Sequence, residues 1–436
     1  MRRALSFKAE ASVPVQPTGE WNSLRLDLLY DVDVMIFGAP SGAVAAALAA
    51  KKAGATVLAV SDRSYFGEET AGAMRLWPRV CSDHPLFIAA FGTGAAVGPP
   101  TPLRIKRVLD QALLEAEVPV LCDCRPAFLL QGEKGELAGA VLAYRTQLCA
   151  VRAKVLVDCS HTGLLVRLAE LPIAERPVGA DRQLVVLGAA PPADRQGHWQ
   201  EAPMPLSLHT AQGEKVYQAY ILRVPPGSPL CAFGQAGAEA CSAGASASWV
   251  TAALEREFLD RRRLHYPGIL YSADTFYDPM LVGLAVQEEA TDDFCSLPDE
   301  ALSHCQGRLM VANGLLPLTA AAAAELDEFA NQLALGERAG RLAAVAAAGL
   351  KTVSGPYSCS SASTGAGEQS GEPESPAGAG KRELRFDKFF RREPGPHAGG
   401  DMELEVEIGD IPLLAEADVV VAGGGTSGAA AGIAAA

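Results

Sequence analysis

The chain has 436 residues, a formal net charge of −14 and 49% hydrophobic residues. This length accommodates two or three domains with well-buried cores, and the acidic balance argues against binding to the phosphate backbone of nucleic acid. The N-terminal region holds no apolar stretch of the kind found in secretory signals, and the 10 cysteines include no Cys-x-x-Cys pair. We therefore expect a cytoplasmic protein that acts on a small molecule, without a metal site or a redox-active dithiol.

The first predicted elements are a strand, a glycine turn, a helix and a second strand. The apolar run at residues 33–37 ends at Gly38, and the alanine-rich residues 41–52 predict a helix that stops at Gly54. Residues 56–60 are a second apolar run. Two continuously apolar strands joined by a helix predict a parallel, buried βαβ unit, the opening of a doubly wound α/β sheet.

A β-meander is predicted after the next helix. Residues 102–118 carry apolar side chains at helical spacing, and residues 127–145 form two apolar runs around a polar turn. Residues 146–153 predict a third strand of the meander, and residues 154–158 predict a separate hydrophobic strand that ends in a polar turn. The meander is thus a crossover between strands of the parallel sheet.

In the rest of the chain the sequence predicts a second region, a linker and the start of a second, similar unit. Residues 176–280 mix strands with proline-rich loops and a helix predicted at residues 246–263, and residues 319–350 predict one long helix. Residues 353–380 hold almost no large apolar side chain, which predicts disorder. The predicted organisation is an N-terminal extension (1–30), a Rossmann-like α/β domain (31–175 and 281–350), a smaller mixed α+β substrate-type domain (176–280), a disordered linker (351–382) and the start of a second unit (383–436).

The final residues repeat the organisation of the first βαβ unit. Three valines precede a glycine cluster and an alanine-rich stretch, so that Gly423, Gly425 and Gly428 fit the G-x-G-x-x-G fingerprint. In this fingerprint the glycines permit a tight turn, close approach of a pyrophosphate and close packing of the helix, whose N-terminus faces the anion. Small residues dominate this uncharged run, which argues against a membrane span. We expect a duplication whose second copy is incomplete, as in a fragment.

The first copy departs from the fingerprint at its turn. When Ser41 and Gly42 are aligned with the last serine and glycine of the second copy, the turn is one residue shorter and Pro40 stands near the middle glycine. Proline has no amide hydrogen, so this position has lost a donor for a phosphate. Gly38, Ser41 and Gly42 are still the positions that correspond to the phosphate-binding turn.

Three further places provide candidate binding residues. Asp62, beside Arg63, follows the second strand, where an acidic side chain can bind a ribose hydroxyl; a solvated loop charge is the alternative. Ser160 and Gly163 lie in the turn after residues 154–158, and Asn313 and Gly314 lie in the turn before the long helix. His161 is also in a turn at the carboxyl end of a strand, where we interpret it as a hydrogen-bonded turn histidine.

The order and spacing of these elements resemble the FAD-dependent oxidoreductases of the glutathione-reductase-like type, which have two dinucleotide-binding folds. The resemblance covers roughly residues 31–350 and restarts near residue 417. It implies that Ser160, Gly163, Asn313 and Gly314 lie at the flavin. At the first of these turns a glycine usually follows a threonine in the family, whereas this chain has Ser160 and then His161, with Gly163 further on. At the second turn an acidic residue is common, whereas Asn313 and Gly314 stand there.

This resemblance implies an enzyme in which FAD passes a hydride or electrons to or from an unknown small-molecule substrate. The alternative, which Pro40 and the shortened turn favour, is a catalytically inactive flavoprotein-like domain that serves as a structural or interaction module. No residue is assigned as acid, base or nucleophile, and neither nucleic acid nor membrane is expected as a partner. The sequence leaves open whether the protein is a homo-oligomer.

Overall fold

The computed structural model describes residues 23–93, 99–144, 147–176, 182–188, 199–210, 213–224, 269–275, 277, 280, 282–285, 290–360, 403–408, 419–421 and 426–435. Within these ranges no helix has the length and apolar character needed to cross a membrane.

The strands in these ranges are β1 (Ser23–Phe37), β2 (Val57–Val60), β3 (Val120–Leu121), β4 (Cys124–Gln131), β5 (Leu137–Tyr144), β6 (Gln147–Asp158), β7 (Ile173–Glu175), β8 (Arg182–Gly188), β9 (Trp199–Glu201), β10 (Leu206–Thr210), β11 (Gly213–Tyr217), β12 (Ala219–Val224), β13 (Ile269–Ser272), β14 (Val282–Leu284), β15 (Ser303–His304), β16 (Leu309–Val311), β17 (Tyr357–Ser360) and β18 (Glu403–Ile408). The α-helices are α1 (Ser41–Lys52), α2 (Pro85–Phe91), α3 (Pro102–Glu115), α4 (Leu164–Leu168), α5 (Ala320–Leu326), α6 (Phe329–Gly349) and α7 (Thr426–Ala435), and Glu68–Gly72 is a π-helical turn.

Five parallel strands form the centre of the fold. β1 pairs with β2 and β6, β2 pairs with β3, and β6 pairs with β16, all in parallel, which gives the order β3-β2-β1-β6-β16. Counted along the chain, this is the order 3-2-1-4-5 of the dinucleotide-binding doubly wound sheets. The predicted α/β class is confirmed, and so are the two adjacent parallel strands joined by α1.

Both faces of this parallel sheet are covered. Because side chains alternate along a strand, Val34 and Ile36 of β1 pack in the core that includes α1, α3 and α6. Met35 and Phe37 point the other way, into the core formed with the meander and α4. A strand that is buried on both sides has no polar face, which is why β1 and β2 appear in the sequence as unbroken apolar runs.

The long C-terminal helix of this domain is broken in two. The sequence predicts one helix over residues 319–350, but α5 ends before Asp327 and α6 starts after Glu328, whose backbone is extended (φ −72°, ψ 138°). The side chain of Thr319 caps α5 by accepting a hydrogen bond from the amide of Ala322 at 3.3 Å. The break places two buried carboxyl groups, those of Asp327 and Glu328, beside the carboxyl ends of the strands.

Helices α1 and α6 pack with their backbones in contact. A Cβ atom added at Gly336 would lie 2.1 Å from the carbonyl oxygen of Gly42, and one added at Gly340 would lie 2.1 Å from that of Ala46. The two glycines are four residues apart and therefore lie on the same face of α6. No side chain fits between the helices at these positions, so small residues set their separation.

The meander belongs to a closed barrel that the sequence analysis did not anticipate. Around the barrel the pairs are β6 with β5, β5 with β4, β4 with β17, β17 with β18, β18 with the N-terminal half of β1, and β1 with β6. Its interior is filled by Leu26, Leu130, Val141, Tyr357 and Val406. A closed barrel leaves none of these strands with an unpaired edge.

The barrel changes the predicted element boundaries in four places. β1 starts at Ser23, inside the predicted N-terminal extension, and β17 lies inside the predicted linker, whose residues 361–380 fall outside the described ranges. β18 lies in the predicted second unit but is a strand of this barrel. The predicted third meander strand and the strand after it are one continuous strand, β6, because its N-terminal half pairs with β5 while its residues 149–158 pair with β1.

The remaining strands form small antiparallel sheets. β8 lies between β12 and β13, and β12 also pairs with β9; β10 pairs with β11, and β7 with β14. Strands are thus present within residues 182–224 and 269–272, and the predicted helix at 246–263 falls outside the described residues. That residues 176–280 form a separate substrate-type domain stays a prediction. Near the C-terminus α7 confirms the predicted helix, whereas residues 419–421 are exposed and form no strand.

Candidate functional site

The carboxyl ends of β1 and β6 form the topological switch point of the parallel sheet. β2 and β3 lie on one side of β1, whereas β6 and β16 lie on the other. In open α/β sheets, ligands bind in the crevice outside the carboxyl ends of the strands at this point. Phe37 lies opposite Asp158 in the register, so the two turns that follow, residues 38–40 and 159–163, bound the candidate site.

Gly38 provides the closest contact between these two turns. Its φ is +145°, and an added Cβ would lie 2.6 Å from the carbonyl carbon of Cys159 and 2.8 Å from the amide nitrogen of Ser160. The amide of Cys159 in turn donates to the carbonyl of Phe37 at 2.8 Å. Any side chain at residue 38 would push the turns apart, so the glycine is needed to build the switch point.

The N-terminus of α1 is capped by a carboxyl group from a distant part of the chain. Pro40 is the N-cap residue and offers no side-chain hydrogen bond. The amide of Ser41 donates to Oε2 of Glu69 at 3.1 Å, and the Ser41 hydroxyl donates to Oε1 at 2.5 Å. Thr70 Oγ1 is a further donor to Oε1, at 3.2 Å. Both Ser41 and Glu69 are buried, so the carboxyl group fills the position beside the first helical amide.

Asp62 and Arg63 lie at the carboxyl end of β2, as predicted for ribose-binding residues. Burial, and next to it the charge of Glu68, raise the pKa of Asp62 above its ordinary value. Arg63 is already hydrogen-bonded within the protein: its Nε donates to Oε1 of Glu68 at 2.9 Å, and its backbone amide donates to Ser61 Oγ at 3.0 Å. The half-buried Asp62 is therefore the better placed of the two for a ribose hydroxyl.

Asp158 organises the turn after β6. Its Oδ1 accepts hydrogen bonds from the amide and hydroxyl of Ser160 at 2.9 and 2.7 Å, and Nδ2 of Asn313 is 3.3 Å away. Its Oδ2 accepts from the amide of Val166 at 3.1 Å. The side chains of Ser160 and Asn313, both predicted as flavin contacts, are thus used within the protein to fix two adjacent turns.

We expect the Asp158→Ala variant to be less stable than the wild type by about 3 kcal/mol or more, because several buried donors lose their acceptor together. The change in unfolding free energy can be measured by urea denaturation followed by circular dichroism. Asp110→Ala, on the exposed face of α3, is the matched control and should change stability by less than ~0.5 kcal/mol. Equal stabilities of the two variants would show that Asp158 does not support the turn.

The other predicted glycines of this site contribute space for packing. A Cβ at Gly42 would lie 2.6 Å from Oε1 of Gln332 on α6, so this glycine brings α1 against a helix and not against a strand. A Cβ at Gly163 would lie 2.2 Å from Cδ1 of Leu315. Gly314 contributes its carbonyl oxygen, which accepts a hydrogen bond from Arg176 Nη1 at 2.8 Å.

His161 lies in a cluster of charged side chains at the same edge of the sheet. Its Nδ1 is 3.9 Å from Oδ1 of Asp327, and about a quarter of its side chain, 26%, is exposed. Burial tends to lower the pKa of His161, but Asp327, Glu68 and Glu69 outweigh that effect and raise it above its ordinary value. His161 is therefore a protonatable group in contact with solvent, and Asp327 can stabilise its charged form.

The arginine of this cluster connects it to the start of α6. Arg75 Nη2 is 2.7 Å from Oε1 of Glu328, its Nη1 donates to the carbonyl of Asp327 at 2.7 Å, and its guanidinium lies 4.2 Å from the centroid of the Tyr277 ring. Burial raises the pKa of Asp327. The cluster thus holds buried charges of both signs next to the crevice.

Four acidic members of this site were not predicted from the sequence: Glu68, Glu69, Asp327 and Glu328. A usable signal was present for the first two, because paired glutamates interrupt an otherwise apolar and small-residue stretch at residues 65–74. The second pair interrupts an alanine-rich helical stretch at the point where the helix breaks. Charged residues inside apolar stretches are seldom buried without a function or a specific partner.

A small cleft lies beside the π-helical turn. Its volume is about 280 Å³, and its lining includes Ala71, Met74, Leu103, Lys106 and Asp274. The ammonium group of Lys106 is 3.4 Å from the centroid of the Tyr65 ring and 3.5 Å from Oδ2 of Asp274. The cleft therefore has apolar walls and one cation near its polar side.

The C-terminal candidate residues are only partly described. Gly423 and Gly425 lie outside the described residues, and Gly428 lies in the first turn of α7. Their predicted role as a second phosphate-binding turn stays a prediction.

Comparison with known proteins connects the N-terminal part of this site with FAD. A family model described as FAD dependent oxidoreductase matches residues 33–185, which is roughly a third of the chain and includes β1, α1, β2, the π-helical turn and β6. FAD is the cofactor that this match implies. None of the curated proteins matches the chain.

Solved structures with similar coordinates include flavoproteins and hydroxylases. CabE, an aromatic hydroxylase from angucycline biosynthesis, is 13% identical with a TM-score of 0.37, over 65% of this chain and 56% of that one. OxyS anhydrotetracycline hydroxylase from Streptomyces rimosus is 13% identical with a TM-score of 0.39, over 71% and 62%. A flavoprotein/dehydrogenase from Cytophaga hutchinsonii is 12% identical with a TM-score of 0.40, over 74% and 80%. The chain spans less than two thirds of the length of the two hydroxylases, and similarities this distant say nothing about its substrate.

The residues of the switch point fit FAD at one end and conflict with it at the other. Asp62 stands half-buried at the carboxyl end of β2, where a ribose hydroxyl would bind. The pyrophosphate position, at the N-terminus of α1, is instead taken by the carboxyl group of Glu69. The site therefore accommodates FAD only if Glu69 leaves Ser41.

Proposed function

We propose that residues 31–350 form the FAD-binding unit of an oxidoreductase that acts on a small molecule. The observation that carries this proposal is the parallel strand order β3-β2-β1-β6-β16, whose switch point lies between the turns at Gly38 and Ser160. The FAD dependent oxidoreductase model matches residues 33–185, which contain β2, β3, β6 and the C-terminal part of β1. When bound, FAD would supply the capacity to accept and return a hydride or electrons.

In this proposal the protein's own residues bind and orient the cofactor. Asp62 accepts the hydrogen bond of a ribose hydroxyl, and the amide of Ser41 binds the pyrophosphate beside the Gly38 turn. Ser160, Gly163, Asn313 and Gly314 shape the opposite wall, since the Asp158 network and the packing at Leu315 already fix their positions. His161, backed by Asp327, is the group that can hold or release a proton at the mouth of the crevice.

We further propose that the unit is of the glutathione-reductase-like type, with a first copy altered at its phosphate-binding turn. The antiparallel strands β4 and β5, with the N-terminal half of β6, form a crossover between the third parallel strand, β3, and the fourth, β6. Pro40 stands at the N-cap of α1 in place of a residue with an amide hydrogen. The net charge of −14 supports a small-molecule substrate over nucleic acid. A cytoplasmic location and a homo-oligomeric state are part of the same hypothesis.

The proposal is tested by the spectrum and the thermal stability of the purified full chain. We expect the visible absorption bands of an oxidised flavin, either as isolated or after incubation with FAD and removal of the excess. A ligand that binds only the folded state stabilises it by about 2.7 kcal/mol at a hundredfold excess over its Kd. FAD should therefore raise the melting temperature, whereas FMN, which lacks the adenylate half, should not. A colourless protein whose melting temperature FAD leaves unchanged would contradict the proposal.

A further inference from the structure

The carboxyl group of Glu69 stands where the anion of a dinucleotide would bind. The first amides of an α-helix have no partner within the helix, and the helix dipole adds partial positive charge at this end, which favours anions. In α1, a helix of 12 residues, the first amide and hydroxyl belong to Ser41, and both donate to Glu69. The Glu69 carboxyl group thus makes the same contacts with Ser41 that a phosphate oxygen makes at the N-terminus of such a helix.

Among the described residues, Glu69 is held there without a lysine or arginine partner; burial raises its pKa, whereas its hydrogen bonds with Ser41 and the positive charge of His161 act in the opposite direction. Only 1% of the residue is exposed, and the part of the chain that the structure describes places no lysine or arginine within ion-pairing distance of it, since Arg63 pairs with Glu68 and Arg75 with Glu328. Burying an unpaired carboxylate is costly unless hydrogen bonds compensate. The donors at Ser41 and Thr70 supply that compensation, so the carboxyl group depends on the helix terminus.

A second observation concerns the side chain that packs on the same helical turn. Gln332 is buried at 3% exposure, and its Oε1 accepts no hydrogen bond although it lies 2.6 Å from the position of a Cβ on Gly42. A buried acceptor without a donor costs free energy of the order of a hydrogen bond. The first turn of α1 therefore has an unsatisfied polar neighbour as well as the carboxyl group of Glu69.

The segment that carries Glu69 is a short buried turn with unusual backbone geometry at both ends. It is a single π-helical turn, a conformation often found at functional sites. Gly67 precedes it with φ +89°, and Met74 follows with φ +53°. The amide of Gly67 donates to the carbonyl of Ala39 at 2.7 Å, so the start of this turn is held beside the phosphate-binding turn.

We propose that Glu69 is an internal anion that keeps the pyrophosphate position at Ser41 closed, so that FAD binds only after this side chain has withdrawn. This inference rests on the proposed function. A carboxylate and a pyrophosphate cannot both occupy the donors of Ser41, because their like charges repel at contact distance. The apparent affinity for FAD is then lower than the intrinsic affinity by the fraction of molecules in which Glu69 has withdrawn.

The test compares the binding of FAD and of ADP to the full chain by isothermal titration calorimetry at constant salt. Glu69→Gln removes the charge at nearly constant volume, and Glu69→Ala removes the whole group. We expect both variants to bind FAD and ADP at least tenfold more tightly than the wild type. Glu115→Gln, the same chemical change at an exposed position of α3, should bind as the wild type does.

A third variant guards against a folding defect in the Glu69 variants. Thr70→Val removes one donor to Glu69 and leaves the carboxyl group, so it should loosen the closed state and raise the affinity by a smaller factor, roughly two- to fivefold. Circular dichroism spectra that match the wild type establish that each variant is folded. Unchanged or weaker binding in all three variants would overturn the inference.

The two ligands separate this inference from the proposed function. If the Glu69 variants gain affinity for ADP but no protein binds FAD, the internal anion is supported and the FAD-dependent function fails. If wild type and variants bind FAD equally well, the function stands and the internal anion is wrong. If no protein binds either ligand, both are wrong.

Discussion

The Gly340→Val variant should lose at least about 3 kcal/mol of unfolding free energy and express mainly as unfolded or aggregated protein. A Cβ at this position would lie 2.1 Å from the carbonyl oxygen of Ala46. That atom belongs to the backbone of α1, so no side-chain rotation relieves the contact and the two helices must separate. Because α1 also covers the parallel sheet, their separation exposes the apolar residues beneath it.

Gly349→Val is the matched control, since no atom lies within 4 Å of a Cβ placed at that glycine. This substitution should leave the unfolding midpoint in urea within the change expected for surface residues, about 0.5 kcal/mol. Circular dichroism at a helical wavelength measures both variants. If Gly340→Val and Gly349→Val unfold at the same urea concentration, α1 and α6 are not packed as closely as the structure indicates.

The Val406→Asp variant tests the barrel and should be about 3 kcal/mol or more less stable than the wild type. Val406 is 1% exposed and packs among Leu26, Leu130 and Tyr357 inside the barrel. The substitution removes the burial of a valine side chain, worth about 1.5–3 kcal/mol, and places a polar group among apolar ones at a further cost of roughly 1–3 kcal/mol.

Val216→Asp, in β11, is its control because 64% of that valine is exposed. It should shift the melting temperature little, whereas Val406→Asp should lower it by several degrees. A Val406→Asp protein as stable as the control would show that residues 403–408 do not form part of the folded core. Differential scanning fluorimetry of both variants at one protein concentration is sufficient for the comparison.

The βαβ unit could be predicted from the sequence because its signals are local. Residues 34–37 and 57–60 are unbroken apolar runs, and Gly38 and the alanines of α1 lie between them. Burial on both faces of a parallel sheet leaves this pattern directly in the sequence.

The barrel could not be predicted because its pairs join segments that are far apart in the sequence. One local signal was available: Leu24, Leu26 and Leu28 alternate with Arg25 and Asp27, which is the pattern of a half-buried strand. The pattern indicates a strand but not its partner. The partner strand, which contains the buried Val406, lies far away in the sequence and pairs with Ser23–Asp27 only in the folded protein.

The electrostatics of the candidate site were missed for a related reason. The sequence analysis identified the altered turn at Pro40 and the phosphate-binding position at Ser41, but the group that satisfies Ser41 comes from Glu69, in another element. Spacing along the chain does not predict which carboxyl group reaches a helix terminus. Asp158 likewise appears in the sequence as the end of a strand, and its role as acceptor for two turns is visible only in three dimensions.

The pairing of Ser23 with Glu407 has a consequence for synthesis on the ribosome. The chain is made from its N-terminus, so the first half of β1 leaves the exit tunnel long before its partner β18 exists. At about 5–20 residues per second, the delay is roughly 20–80 s. During that time β1 and β4 each present an unpaired strand edge, which is the kind of surface that promotes association between nascent chains. We therefore expect co-translational chaperones to be important for the yield of this protein.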